Sequence, residues 1–425
     1  MDELPVAVVG AGPVGLAAAA ELLERGLEPL VLERGDQAGS AVAAWNHVRL
    51  FSPWSELVDP AAARLLEPTG WARPSGGVHP TGGEWARRYL QPLAEALGER
   101  VRFGAEVVGV ARRGRDRIVD SGRDGEPFSV HVRSAEGEER VLARAVVDAS
   151  GTWTTPNPLG GEGLPAIGER AAADRISYRV PDLAAERVRY TGKHVVVAGS
   201  GHSALTALAA LARLGGGTRI SWVLRRGGIG NTFGGGEAGQ LPARGALGLR
   251  AKEAVDAGLI TVVTGFRTEA VERTGGSIAL ISADGRRLED VAEVIALTGF
   301  RPELSWLSEI RLELDPTLQA PVALAPLVDP NVHSCGTVYP HGAKELSHPE
   351  RNFYLAGMKS YGRAPTFLAQ TGYEQVRSIA AELAGDHEAA ARVELIMAET
   401  GVCGGAGLFD EPELLTLSAP PAASN

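Results

Sequence analysis

Continuous apolar runs of strand length recur along the chain: LPVAVVG (4–10), EPLVLE (28–33), AVVDAS (145–150), KHVVVAG (193–199), TRISWVLRR (218–226), VAEVIALTG (291–299) and NFYLAGM (352–358). Unbroken runs, unlike alternating ones, predict strands buried on both faces, the habit of parallel sheets covered by other layers. Between them lie segments rich in helix formers. LAAAAELLERG (16–26) is closed by Gly26 at a C′ position, and TALAALARLGGG (206–217) has the same character. A third, KSYGRAPTFLAQTGYEQVRSIAAELAG (359–385), has Pro365 suited to a first helical turn and Gly385 to end the helix. Strand and helix alternate, which is an α/β pattern.

The junction after the first run reads GAGPVG. Gly10 permits a tight turn, Gly12 lets backbone approach a pyrophosphate, and Gly15 lets helix and strand pack closely, with Pro13 and Val14 opening the helix. Unpaired N–H groups and a partial positive charge at that helix N-terminus favour phosphate. Glu33, followed by Arg34, ends the second run where a carboxylate bonds the hydroxyls of an adenosine ribose. Strand, turn, helix, strand and acid fall in order, so this unit is expected to bind FAD or NAD.

The unit recurs as VAGSGHSA (197–204), with Gly199, Gly201, His202, Ser203 and, in the third place, Ala204. Here the second strand ends on Arg225 and Arg226, where the first unit has Glu33. A carboxylate repels a 2′-phosphate and guanidinium groups bind it in pairs, so NADPH is expected over NADH.

At 425 residues the chain exceeds one core and two domains are expected. A net charge of −10 argues against nucleic acid and anionic membrane surfaces as partners. The acidic MDELP start leaves no room for a signal peptide, and glycines interrupt the most apolar stretch, so a cytoplasmic location is expected. Cys335 and Cys403 form no CxxC pair, and no His, Cys, Asp or Glu spacing reads as a metal site. His47, His333 and His341 lie in loop-like stretches without such spacing. The glycine-rich stretch 225–245 reads equally as a mobile lid over NADPH or as an irregular connection.

Two Gly/Pro-rich bends, in AVVDASGTWTTPNP (145–158) and VAEVIALTGFRP (291–302), resemble the paired linkers of two-dinucleotide flavoproteins. The expected fold is thus α/β with two Rossmann-like domains, the nicotinamide domain inserted into the FAD domain. The FAD-binding domain spans 1–156 and 299–400, the NADPH-binding domain 157–298, and 411–425 reads as a flexible tail. The order GAGPVG…Glu33, ASGT, GKHVVVAGSGHSA, ALTGFRP and NFYLAGM resembles class B flavoprotein monooxygenases, a superfamily of flavin-containing, N-hydroxylating and Baeyer–Villiger enzymes. The resemblance implies that Ala149, Ser150 and Gly151 lie near FAD with Gly357 and Met358 on its far side. It also implies that Trp45 matches the tryptophan after the first acidic strand end and that Val107 touches the adenine. It further implies that NADPH reduces the flavin, which then meets O2 and oxygenates a small molecule through a C4a-hydroperoxide.

One family motif, FxGxxxHxxx(Y/F/W), is absent: the matching region reads ADRISYRVPD, with Tyr178 as the aromatic and no histidine. WNHVRLFSPW, HSCGTVYPHG, GMKSYGRAPTFL and AETGVC resemble a bacterial flavoprotein group found with arsenic-resistance genes. Cys335 and Cys403 are then either soft ligands for As(III) or inert thiols. A disulfide or quinone reductase and a redox-sensing flavoprotein stand as rival functions, and oligomeric state is not legible.

Overall fold

The computed structural model describes residues 3–229, 232–233, 242–332, 341–364 and 367–392. The chain divides into two units, Met1–Asn157 with the stretch from Gly299, and Pro158–Thr298. Asn157 falls with the first unit because its amide donates to Gly299 O at 2.9 Å.

In the first unit five strands lie side by side in the order Phe353–Leu355, Ala145–Asp148, Val6–Val9, Pro29–Leu32, Val101–Arg102, every neighbouring pair parallel. Val8 pairs with Val31 on one side and Val147 on the other, so β-branched residues fill the centre. Alternate side chains go to opposite faces. Val6, Val8, Ala145 and Val147 pack with the helices Pro13–Glu24 and Ala369–Leu383. Ala7, Val9, Val146, Phe353 and Leu355 instead meet Phe128, Val130 and Val132 of an antiparallel sheet, Glu106–Arg112, Phe128–Ser134 and Gly137–Ala143. Strands buried on both sides explain the unbroken apolar runs.

The second unit repeats the plan. Its parallel order is Ile260–Val263, Arg219–Val223, His194–Ala198, Glu293–Ala296, Ile176–Ser177. An antiparallel sheet, Thr268–Thr274, Ser277–Ser282 and Arg287–Val291, packs Ile278, Leu280 and Val291 against Val196, Ala198 and Val294. Among the described residues no helix is long and apolar enough to cross a membrane.

One boundary differs from the sequence reading. The last long helix begins at Ala369, with Leu368 as its N-cap, not at Pro365, which lies outside the described residues. Its other end agrees: Gly385 takes φ +82° just past Leu383.

Candidate functional site

The first glycine turn is built by sterics. Gly10 has φ +99°, and a Cβ there would stand 3.0 Å from both Ala149 O and Ser150 Cα. A Cβ on Gly15 would lie 1.9 Å from Gly10 O, so the helix Pro13–Glu24 can start this close to the strand only with glycine there. A Cβ on Gly12 or Gly151 would meet nothing within 4 Å. The turn is closed beneath and open above, which suits a ligand drawn onto the helix N-terminus by backbone N–H groups.

Glu33 stands just past the end of Pro29–Leu32, and its carboxylate is held in place by backbone. Oε2 accepts from Ala11 N and Oε1 from Gly35 N, each at 2.7 Å. Ala105 N donates to Glu33 O at 2.8 Å, so the strand Glu106–Arg112, with half-buried Val107, leaves from beside the acid. Arg34 is exposed. Trp45 is half-buried, its indole where a Cβ on Gly82 would come within 2.5 Å.

Other segments singled out in the sequence converge on this turn. Ala149 and Ser150 back Gly10, while a Cβ on Gly357 (φ +69°) would stand 3.2 Å from Val14 Cγ2. Met358 is half-buried beside it. Two polar ties absent from the sequence reading hold these loops. Lys359 Nζ lies 2.7 Å from Asp148 Oδ2, both side chains fully buried, and donates to Ser150 Oγ at 3.0 Å. Gln375, buried on the last long helix, accepts from Gly357 N at 2.8 Å and donates to Ser360 Oγ at 2.9 Å. Its amide nitrogen also lies 2.9 Å from His341 Nε2, which gives that histidine a structural place. The only cue to either tie was a lysine inside an apolar strand–turn segment and a glutamine on the buried face of a helix.

In the second unit Gly199 has φ +127°, and a Cβ there would stand 2.2 Å from Leu297 O. Trp222 Nε1 donates to Gly199 O at 2.8 Å and pins the turn from the neighbouring strand. A Cβ on Gly201 would meet nothing within 4 Å, whereas Ala204 is fully buried, so the third position serves close packing. His202 and Ser203 open the helix His202–Leu211. Arg225 and Arg226 follow the strand Arg219–Val223 by one and two residues beyond Leu224. Desolvation and, second, the Arg226 charge pull the Arg225 guanidinium below the ordinary arginine range. Two adjacent cations are what a dianionic phosphate would relieve.

Tyr178 donates its hydroxyl to buried Glu169, which also accepts from Leu159 N at 2.8 Å and Ala166 N at 2.6 Å, so this tyrosine secures a loop of its own unit. His47 lies half-buried in a turn. Cys335, Cys403, His333, the tail 411–425 and much of the glycine-rich stretch lie outside the described residues. Among the described residues no group of His, Cys, Asp and Glu is placed to hold a metal.

Comparison with known proteins places this architecture. A family model described as pyridine nucleotide-disulphide oxidoreductase matches residues 7–325. A flavin-containing monooxygenase of Arabidopsis thaliana (FMO GS-OX-like 2) is 30% identical over 221 residues, 47% of this chain and 45% of that protein. The match thus spans less than half of that relative's length. A ferredoxin–NADP reductase of Ignicoccus hospitalis is 25% identical over 314 residues, 72% of this chain and 81% of that protein. Among solved structures, the bacillithiol disulfide reductase of Bacillus cereus superposes with a TM-score of 0.66 at 21% identity, covering 90% of this chain and 99% of that one. The chain belongs to the pyridine nucleotide-disulphide oxidoreductase family and has the two-domain α/β fold of FAD- and NAD(P)-dependent oxidoreductases.

Proposed function

We propose that the protein is an NADPH-oxidising monooxygenase that places one oxygen atom of O2 on a small molecule at a soft heteroatom or carbonyl. The cofactors are FAD and NADPH. FAD, when bound, supplies the two-electron chemistry that links NADPH to O2. The chain's residues bind and orient. Gly10, Gly12 and Gly15 leave an open turn for the FAD pyrophosphate, and Glu33 receives its ribose. Ala149, Ser150, Gly151, Gly357 and Met358 line the same turn. Gly199, Gly201 and the helix starting at His202 receive the NADPH pyrophosphate, and Arg225 with Arg226 its 2′-phosphate. Units 1–157 with 299 onward and 158–298 are accordingly the FAD and NADPH domains.

The observation that carries this reading is the opposite charge at two otherwise matching strand ends: a backbone-held carboxylate at Glu33 and paired guanidiniums at Arg225 and Arg226. Oxygen is favoured over a disulfide as acceptor because the chain's cysteines, Cys335 and Cys403, stand 68 positions apart and form no CxxC pair. The overall balance is NADPH, a proton, O2 and substrate in, and NADP+, water and oxygenated substrate out.

The test is turnover under oxygen-18 gas with thioethers, tertiary amines, ketones and a trivalent arsenical as substrates. The expected result is one labelled oxygen in product per NADPH oxidised. NADPH-driven loss of a disulfide or quinone without O2 uptake would replace the proposal with a reductase. Slow NADPH oxidation that yields only hydrogen peroxide with every substrate would leave a redox sensor.

A further inference from the structure

The binding reading above leaves the buried pair Asp148 and Lys359, beside the first glycine turn, without a role. Asp148 ends the strand Ala145–Asp148, and Lys359 sits in the turn Gly357–Tyr361. Their charged atoms are 2.7 Å apart and both side chains are 0% exposed. Asp148 Oδ1 accepts from Ser150 N at 3.0 Å and from Ser150 Oγ at 2.6 Å, and that hydroxyl accepts from Lys359 Nζ at 3.0 Å. The ammonium also lies 4.7 Å from the centre of the Trp306 ring. Ser150 itself is exposed, so the network runs from buried charges to the open side of the turn.

A buried ion pair is a weak route to stability, because well-packed apolar side chains of similar volume serve as well or better. What this pair supplies is geometry. It joins residues 148–151, which back Gly10, to residues 357–361, which back Val14, and so fixes both walls of the first glycine turn relative to each other. We propose that Lys359 is a positioning residue of the FAD site: through Asp148 and Ser150 it holds the Ser150–Gly151 and Gly357–Met358 backbones in the one arrangement that accepts FAD. The inference rests on the reading that this turn binds FAD.

The test uses full-length protein stripped of flavin, with FAD rebinding followed by fluorescence quenching, the flavin's visible spectrum recorded, and apo-protein melting measured in parallel. Lys359→Met is expected to weaken FAD at least about tenfold, about 1.4 kcal/mol, and to shift the visible bands. Combining it with Asp148→Asn removes both charges, and is expected to restore melting while FAD stays weak and the bands stay shifted. Ser150→Ala, which keeps both members of the ion pair and removes only the hydroxyl that links them to the turn, is expected to weaken FAD about threefold, about 0.6 kcal/mol, and it decides the matter together with the double variant if Lys359→Met does not fold. Variants that melt lower yet bind FAD with wild-type affinity and spectrum would overturn the inference alone. A wild type that takes up no FAD would overturn the reading of the turn itself.

Discussion

Glu350 offers the sharpest energetic prediction in the first unit. Its carboxylate receives Arg112 Nε at 2.7 Å and Arg123 Nη2 at 2.6 Å, and all of these side chains are at most 2% exposed. The remaining guanidinium protons go to carbonyls, including Glu126 O from Arg112 at 2.8 Å and Glu309 O from Arg123 at 2.9 Å. Glu350→Gln keeps the shape and removes the charge, stranding two buried cations. Breaking a buried pair in this way costs about 3–5 kcal/mol. For a unit of this size that is a fall in melting temperature of roughly 6–20 °C, at about 2–4 °C per kcal/mol. Urea unfolding should show a lower midpoint with an unchanged slope. Replacing all three residues by apolar ones of similar volume should recover most of the loss. Burial pushes the Glu350 carboxyl up, but hydrogen bonds from Arg123 and Arg112 outweigh this and hold it below the usual carboxylate range. Its contribution is therefore present above the unfolded carboxyl pKa and lost as pH falls through the lower folded value. A Glu350→Gln protein within about 1 kcal/mol of wild type would mean that the two guanidiniums are not stranded by loss of the carboxylate.

Four further outcomes follow from the same structure. Replacing Arg225 and Arg226 together by serine should raise the KM for NADPH by about 10–100-fold, the loss of one or two charge-assisted hydrogen bonds, while the KM for NADH stays put; steady-state kinetics with both donors checks this. Burial pushes the His348 imidazole down to about 4, with Nδ1 accepting from Glu313 N at 3.3 Å. Because the folded value lies below the unfolded one, stability should fall as pH drops from about 6.5 to 4, by about 3 kcal/mol, and His348→Gln should flatten that slope in urea titrations across pH. Gly15→Ala should disrupt folding of the first unit, since its Cβ would meet Gly10 O at 1.9 Å. Gly12→Ala should melt like wild type and lose FAD, because its Cβ enters only the open space above the turn; melting and flavin content measured side by side separate the two.

What the sequence disclosed and what it hid divide along a physical line. The glycine turns were legible because strand, turn and helix are contiguous and each glycine answers a local steric demand, as Gly15 does against Gly10. Burial on both faces was legible from the unbroken valine runs. Of the covering antiparallel sheets only Val107 was singled out, through the family resemblance, since their alternation becomes meaningful once Val130 and Val132 have a face to pack on. Partners far apart in sequence left no local mark: Lys359 and Asp148 meet because neighbouring parallel strands deliver both, and Glu350 meets Arg112 across 238 positions. Gln375 reads as a polar interruption of an amphipathic helix until Gly357 N is seen to need an acceptor. The tyrosine offered for the missing motif, Tyr178, turned out to serve Glu169.

In the proposed cycle one turn holds FAD and the other delivers electrons from NADPH. Anaerobic titration of the purified protein tests it most directly. One equivalent of NADPH per bound flavin should bleach the visible absorbance, with NADH far slower. A protein that takes up no flavin, or whose bound flavin stays oxidised under excess NADPH, would contradict it.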